Sequence, residues 1–447
     1  MYFIFYNVDI KAYEVPHIPN LYQKIIHVEK ENHMSKRPII IDTDPGIDDA
    51  LAIAIALFSE ELDVKLITTV AGNVSLDLVT ENALKLLKFY EKDVPVARGC
   101  AQPLLAEFVD ASDIHGKSGM EGYDFPEPKT ELLLQEHAVN AMRRVIMESD
   151  EPITIVPIAA MTNIALLFAL YPEVKSNIRE IVMMGGSVTR GNKGVMSEFN
   201  VATDPEAAAM VFNSGVPIVM AGLDVGWKAL VMPQDSEEIK KMGKVGDMAY
   251  HLFKHYRGGS FNTGLKMYDS CAIAYLLCPK LYTVEETYVG VELNGTMTTG
   301  CTVVDLKGYL KKKPNAKVCT DIDGEKFREW FKQSISRRTM TTFVMYAAAI
   351  ISVAIVIFML IKKMDIKITL FLMGIVLMFV GCALGNPLGG EDFVSTGSVF
   401  LDPLKVIADQ FKSTISSAGF IILILGGYSA YMSAINANSV TVNVLTK

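Results

Sequence analysis

The chain has 447 residues, half of them apolar and 21% charged, with a formal net charge of −8 at neutral pH. That length accommodates more than one domain, and an acidic balance without a Lys/Arg stripe argues against nucleic acid as a partner, since tracking phosphates needs clustered cations. Six scattered cysteines (Cys100, Cys271, Cys278, Cys301, Cys319, Cys382) with no CxxC spacing, together with no secretory signal, exclude a disulfide scaffold and point to reduced thiols in the cytosol.

A mean hydropathy of +0.28 hides two compositions. Residues 35–336 mix charged and apolar runs as a globular enzyme does, whereas residues 340–447 hold long stretches without charge. Residues 1–33 carry no helical or strand period and no signal-peptide core. They read as a non-native or disordered leader, because Lys30-Glu31-Asn32-His33 ahead of Met34 can be encoded by a ribosome-binding sequence.

Ordered structure is expected from Arg37. Pro38–Asp42 reads as a strand, Asp48–Phe58 as an apolar helix, Val64–Val70 as a strand and Leu76–Tyr90 as a helix. Ile153–Pro157 is a strand with a helix from Asn163. Ile181–Met184 and Ile218–Ala221 are further strands, with a helix near Pro205–Asn213 between them. This alternation predicts an α/β fold: a mostly parallel open sheet with helices on both faces, and ligands bound at the carboxyl ends of the strands.

The first strand runs straight into Asp42-Thr43-Asp44-Pro45-Gly46-Ile47-Asp48-Asp49. Four carboxylates in eight residues repel one another and are costly in an apolar core unless a cation or water holds them. Pro45-Gly46 makes a turn, Asp48-Asp49 opens a helix, and the turn is expected to fold the carboxylates into one oxygen-rich pocket. An all-oxygen set suits Ca²⁺ or Mg²⁺ better than Zn²⁺.

DTDPGIDDA resembles the N-terminal signature of the inosine–uridine-preferring nucleoside hydrolase family. The likeness continues through VAGNVS (Val70–Ser75), IHGKSGMEGYDF (Ile114–Phe125), AMTNIA (Ala160–Ala165), MGGS (Met184–Ser187), EFNVATDPEAA (Glu198–Ala208) and MYDSCAIAYLL (Met267–Leu277). HYRGGS (His255–Ser260) makes it most similar to the non-specific ribonucleoside hydrolases of bacteria.

The resemblance implies a Ca²⁺-dependent enzyme of residues 34–336 that cleaves the N-glycosidic bond of purine and pyrimidine ribonucleosides through an oxocarbenium-like transition state. It implies Asp44, Asp49 and Asp269 as side-chain ligands of the ion, Thr162 as a main-chain carbonyl ligand, and Asp44 also as general base. It implies Asp48, Asn73, Met184, Asn192, Glu198 and Asn200 around the ribose, with the Glu198 carboxylate on the 5′-hydroxyl. Many members carry His immediately before the last ligating Asp, where this chain has Tyr268. A phenol titrates near 10 and not near 6.5, so Tyr268, His115 and Tyr256 are the groups considered for the leaving base. A homodimer or tetramer is implied. Two rival readings are a pyrimidine-restricted hydrolase and an inactive, membrane-tethered nucleoside-binding protein.

Thr342–Ile361, Ile368–Gly385 and Ile415–Ile435 are uncharged runs long enough, or nearly so, to span a bilayer. They are expected to form a membrane-inserted, all-α tail of about three helices over residues 340–447. Phe420–Lys447 resembles the early part of anaerobic C4-dicarboxylate carriers. Arg337-Arg338-Thr339 ahead of Met340 again fits a ribosome-binding sequence, so a fusion with a truncated neighbouring carrier gene is expected, without transport.

Overall fold

The computed structural model describes residues 36–257 and 259–362, with short stretches at 373–376, 379–380 and 404–406. The chain divides into two units, Met1–Arg337 and Arg338–Lys447. Residues 1–33, the leader of the sequence reading, lie outside the described residues.

In the first unit the strands are β1 (Arg37–Thr43), β2 (Leu62–Thr69), β3 (Val96–Arg98), β4 (Ile153–Pro157), β5 (Ile178–Met184), β6 (Ile218–Ala221), β7 (Leu230–Val231), β8 (Gly259–Ser260), β9 (Gly264–Lys266), β10 (Tyr282–Thr287), β11 (Val289–Val291), β12 (Thr302–Val304) and β13 (Ala316–Ile322). The main sheet has eight strands in the order β10-β13-β6-β5-β4-β1-β2-β3. Its pairs are parallel except β10 with β13. Strands β7, β9 and β8 form a small antiparallel sheet, and β11 pairs with β12.

The continuous apolar run of β1 follows from its place inside the sheet, where both faces are covered. Ile39 and Ile41 enter one core and Ile40 the other, all three fully buried. The first core takes residues from the helices Ile47–Phe58, Leu76–Tyr90, Gly243–His255 and Tyr268–Leu277. The second takes them from Ala138–Glu148, Thr162–Leu170 and Pro205–Phe212. At about 1.5–3 kcal/mol per fully buried large apolar side chain, the two cores hold the strand ends in fixed register. Those ends are where the polar chemistry is gathered.

The helix Gly324–Ile361 supplies Phe327, Phe331 and Ile335 to the first core. Among the described residues no helix is long and apolar enough to cross a membrane. The side chains of residues 342–350, in the first expected span, lie outside the described residues. So do most of Ile368–Gly385 and all of Ile415–Ile435.

Candidate active site

A pocket of about 440 Å³ opens at the carboxyl ends of the parallel strands. Of the residues singled out by sequence, Asp48, Asn73, His115, Met184, Asn192, Glu198, Asn200, Tyr256, Tyr268 and Asp269 line it. Asp44 and Asp49 lie directly beneath, fully buried.

The turn after β1 sets the acidic floor. Asp49, in the first turn of the helix Ile47–Phe58, accepts the Thr43 hydroxyl at 2.6 Å on Oδ1. Its Oδ2 accepts the Gly46 N–H at 2.9 Å and the Asn73 side-chain amide at 3.1 Å. Asp44 Oδ2 accepts the Asn73 backbone N–H at 2.6 Å, while Asp44 Oδ1 is buried without a hydrogen-bond partner. This approach of the β2 end to Asp44 needs Gly72, where a Cβ would stand 2.0 Å from Asp44 Oδ2. Asp48 Oδ2 accepts the Tyr256 hydroxyl at 3.1 Å. Asp269, in the first turn of the helix Tyr268–Leu277, completes the group: Asp48, Asp49 and Asp269 offer carboxylate oxygens within 4.8 Å of one another.

Burial, reinforced by mutual repulsion, pushes Asp44 and Asp269 well above the usual carboxylate range. Burial raises Asp48 to about 7, again with repulsion from Asp49, and raises Asp49 despite its donors. Asp48, Asp49 and Asp269 form a hard all-oxygen donor set that suits a divalent cation such as Ca²⁺, and buried Asp44, with its orphaned oxygen, adds a fourth carboxylate to the same turn.

The expectation that all four carboxylates of the 42–49 string share this pocket is corrected for Asp42. Strand alternation turns its side chain to the face of the sheet that Ile40 also serves, where Oδ1 accepts Thr68 at 2.6 Å and Asn163 at 2.8 Å. Burial raises it to about 7. Thr162 is also diverted. Its hydroxyl donates to Asp204 at 2.6 Å and it does not line the pocket, whereas Ile158, the residue after β4, does. Thr162 lies at the start of its helix, one turn beyond the strand end, so a main-chain oxygen reaching the pocket from β4 would come from Ile158.

His115 is buried, and its Nδ1 accepts the Ile47 N–H at 3.2 Å. Burial lowers its pKa to about 4. An acceptor at Nδ1 puts the proton of the neutral ring on Nε2, so His115 is a neutral donor. Its ring lies 5.5 Å from that of Tyr256. Tyr256 and Tyr268 are both raised above the normal phenol value, chiefly by burial. Each is a hydrogen-bond donor at neutral pH.

At the opposite wall Glu198 caps the helix Phe199–Thr203. Its Oε1 accepts the Asn200 N–H at 2.8 Å, and its Oε2 accepts Gly186 at 2.9 Å and Val201 at 3.1 Å. Burial outweighs these donors and raises it to about 7. The Asn200 amide donates to the Met184 carbonyl at 3.1 Å, and Asn192 Oδ1 accepts the Phe199 N–H at 2.9 Å. Both asparagines therefore build the loop as well as line the pocket.

Lys266, Arg257, Asp110 and Asp113 also line the pocket and were not singled out by sequence. Arg257 clasps the mouth, with its guanidinium on the Asp113 carbonyl at 3.0 Å and its N–H on the Ile114 carbonyl at 3.3 Å. Its place in the HYRGGS segment was the available signal; nothing local marked Lys266.

Comparison with known proteins agrees with this arrangement. Residues 39–329 match the profile of the family described as inosine-uridine preferring nucleoside hydrolase. The chain is 52% identical over 299 residues to the non-specific ribonucleoside hydrolase RihC of Klebsiella pneumoniae (strain 342), covering 67% of this chain and 98% of the relative. The RihC of Salmonella agona (strain SL483) is 52% identical over 292 residues, covering 65% of this chain and 95% of the relative. The solved purine-preferring ribonucleoside hydrolase from Gardnerella vaginalis superposes with a TM-score of 0.63 at 28% identity, over 68% of this chain and 99% of that one.

Proposed function

Since the chain belongs to the inosine-uridine preferring nucleoside hydrolase family, we propose that residues 34–336 hydrolyse both purine and pyrimidine ribonucleosides with the help of a bound Ca²⁺. The observation that carries this reading is the buried carboxylate group of Asp44, Asp48, Asp49 and Asp269 on the floor of a pocket walled by hydrogen-bonding side chains.

Water adds across the glycosidic bond. Its hydroxyl joins C1′ of ribose, its proton ends on the base, and the bonding electron pair leaves with the base. Asp44, Asp49 and Asp269, with the Ile158 carbonyl in place of Thr162, would hold the ion. When bound, the ion would polarise a water and favour the ribose hydroxyls with its charge. Asp44, whose Oδ1 has no other partner, takes the proton from the attacking water. Asp48 and Asn73 accept and donate at the sugar hydroxyls, Asn192 and Asn200 line its far side, and Met184 packs beneath it. A carboxylate has about four lone-pair sites, so Glu198, with three N–H donors, keeps one for the 5′-hydroxyl. Tyr268 donates a hydrogen bond to the departing base, and neutral His115 and Tyr256 assist from the adjoining wall.

A dimer or tetramer and a cytosolic setting for this unit belong to the same proposal. The membrane-inserted tail over residues 340–447 and its likeness to a truncated carrier rest on the sequence pattern.

Release of reducing sugar from inosine and uridine by the full chain, with and without EDTA, is the test. Activity on both that EDTA abolishes and Ca²⁺ restores is expected. Turnover of uridine alone would favour the pyrimidine-restricted rival, and no sugar from any nucleoside would favour the inactive one.

A further inference from the structure

Lys266 stands in the pocket wall without a task in the steps above. It ends β9, whose pairing with β7 sets it opposite Leu230, and just beyond it the Met267 N–H donates to the Ala229 carbonyl at 3.0 Å. Leu265 and Met267, on either side of it, are buried in the first core, whereas Lys266 and Tyr268 line the pocket. Alternation along extended backbone sends the amine to the pocket side and its neighbours into the core. A slip of one residue would exchange them, so core packing holds the lysine on this wall.

The amine is half-buried and, among the described residues, makes no side-chain hydrogen bond or ion pair. Burial, with the Arg190 guanidinium nearby, lowers it from the ordinary lysine value. The other cations of the lining are engaged: Lys193 lies over the Phe199 ring at 5.4 Å, and Arg257 donates to the Asp113 carbonyl at 3.0 Å. A partly desolvated cation with no carboxylate on it is relieved by an electron-rich group that a ligand brings. In a nucleoside the ribose hydroxyls belong to the acidic floor. The base, which meets Tyr268 on the same wall, is the part that carries carbonyl oxygens.

We propose that Lys266 is a specificity-determining residue that donates to a carbonyl oxygen on the edge of the base, favouring oxo bases over their amino counterparts. An ammonium has three donors and no acceptor. It serves the carbonyl of inosine or uridine and opposes the amino group that adenosine or cytidine carries at the same ring position. As the bond to C1′ breaks, the electron pair enters the base and the carbonyl oxygen gains negative charge. A fixed positive charge beside it then counts for more in the transition state than in the bound substrate. This deepens the hydrolase reading above and rests on it.

The test measures kcat/KM of the full chain on two pairs, inosine with adenosine and uridine with cytidine. Lys266→Met keeps most of the stem and removes the charge. It is expected to lower inosine and uridine at least about tenfold and to leave adenosine and cytidine within about threefold, with Ca²⁺ binding by calorimetry unchanged. Lys266→Gln, whose amide accepts as well as donates, is expected to raise adenosine relative to inosine above the ratio of the Met variant. Where an amino nucleoside turns over too slowly to follow, its inhibition constant against inosine takes the place of kcat/KM, with the same expectation.

Equal losses on all four nucleosides, no loss on inosine and uridine, or loss of Ca²⁺ binding would overturn the assignment of Lys266 to the base. If Lys266→Met does not fold, Lys266→Gln carries the comparison. Failure of the unsubstituted protein to release sugar from any of the four would instead sink the hydrolase reading itself.

Discussion

Replacing Gly72 by Ala tests whether the position of Asp44 governs the reaction. A methyl group built at residue 72 stands 2.0 Å from Asp44 Oδ2 and 2.8 Å from its Cγ, where ordinary contact begins at 3.4 Å. The carboxylate oxygen must therefore retreat by more than an ångström, and Asp44 is a short, buried side chain with little freedom to do so. The retreat also strains the 2.6 Å hydrogen bond from the Asn73 N–H. A misplacement of about 1 Å at a reacting group costs roughly 100-fold, which corresponds to about 2.7 kcal/mol of transition-state stabilisation. The expected result is a fall in kcat/KM on inosine of at least about 100-fold, with weaker Ca²⁺ binding by calorimetry and a folded protein by circular dichroism. A folded variant that keeps kcat/KM within threefold and binds the ion unchanged would refute the reasoning, since Asp44 would then tolerate displacement.

Two further outcomes follow from the buried acids. Asp42, Asp48 and Glu198 have folded-state pKa values raised to about 7 by burial, against about 4 when unfolded. Their contribution to stability in the ion-free protein is fully present below about pH 4 and is lost as pH rises through about 7. A divalent ion needs its carboxylate ligands deprotonated, so the gain in thermal midpoint from Ca²⁺ over EDTA should grow from pH 5 to pH 8; a gain that shrinks over that range would contradict the assignment. Glu198→Gln retains one oxygen but sets an amide group against at least one of three backbone N–H donors. It should cost about 1–3 kcal/mol in urea unfolding followed by tryptophan fluorescence, and an unchanged midpoint would count against the cap.

Much of the fold was legible because the strands are covered on both faces and so read as unbroken apolar runs. Leu76–Tyr90, Ile153–Pro157 and Ile218–Ala221 coincide with their predicted bounds, and β1 and β5 extend by one and three residues beyond theirs at the amino end. The antiparallel β10–β13 pair and the two small sheets were missed, since short half-exposed strands carry little periodic signal. In the site, Asp44, Asp48 and Asp49 were marked by their crowding on one turn. Asp42 belonged to the same string, but its direction is fixed by strand alternation and by Thr68 and Asn163, which only the folded sheet brings near. Thr162 came from the family resemblance, and the fold turns its hydroxyl to Asp204, outside the pocket lining.

The acidic floor draws Asp44 from the first strand end and Asp269 from a helix more than two hundred positions later, across β4, β5 and β6. Three of its four acids sit on one turn, and the fourth arrives only with the helix Tyr268–Leu277. If Asp269 serves the reaction as proposed, a growing polypeptide stays inert toward nucleosides until the region around it has been made and docked. With the ion in excess, turnover would then count the molecules that have finished folding that unit.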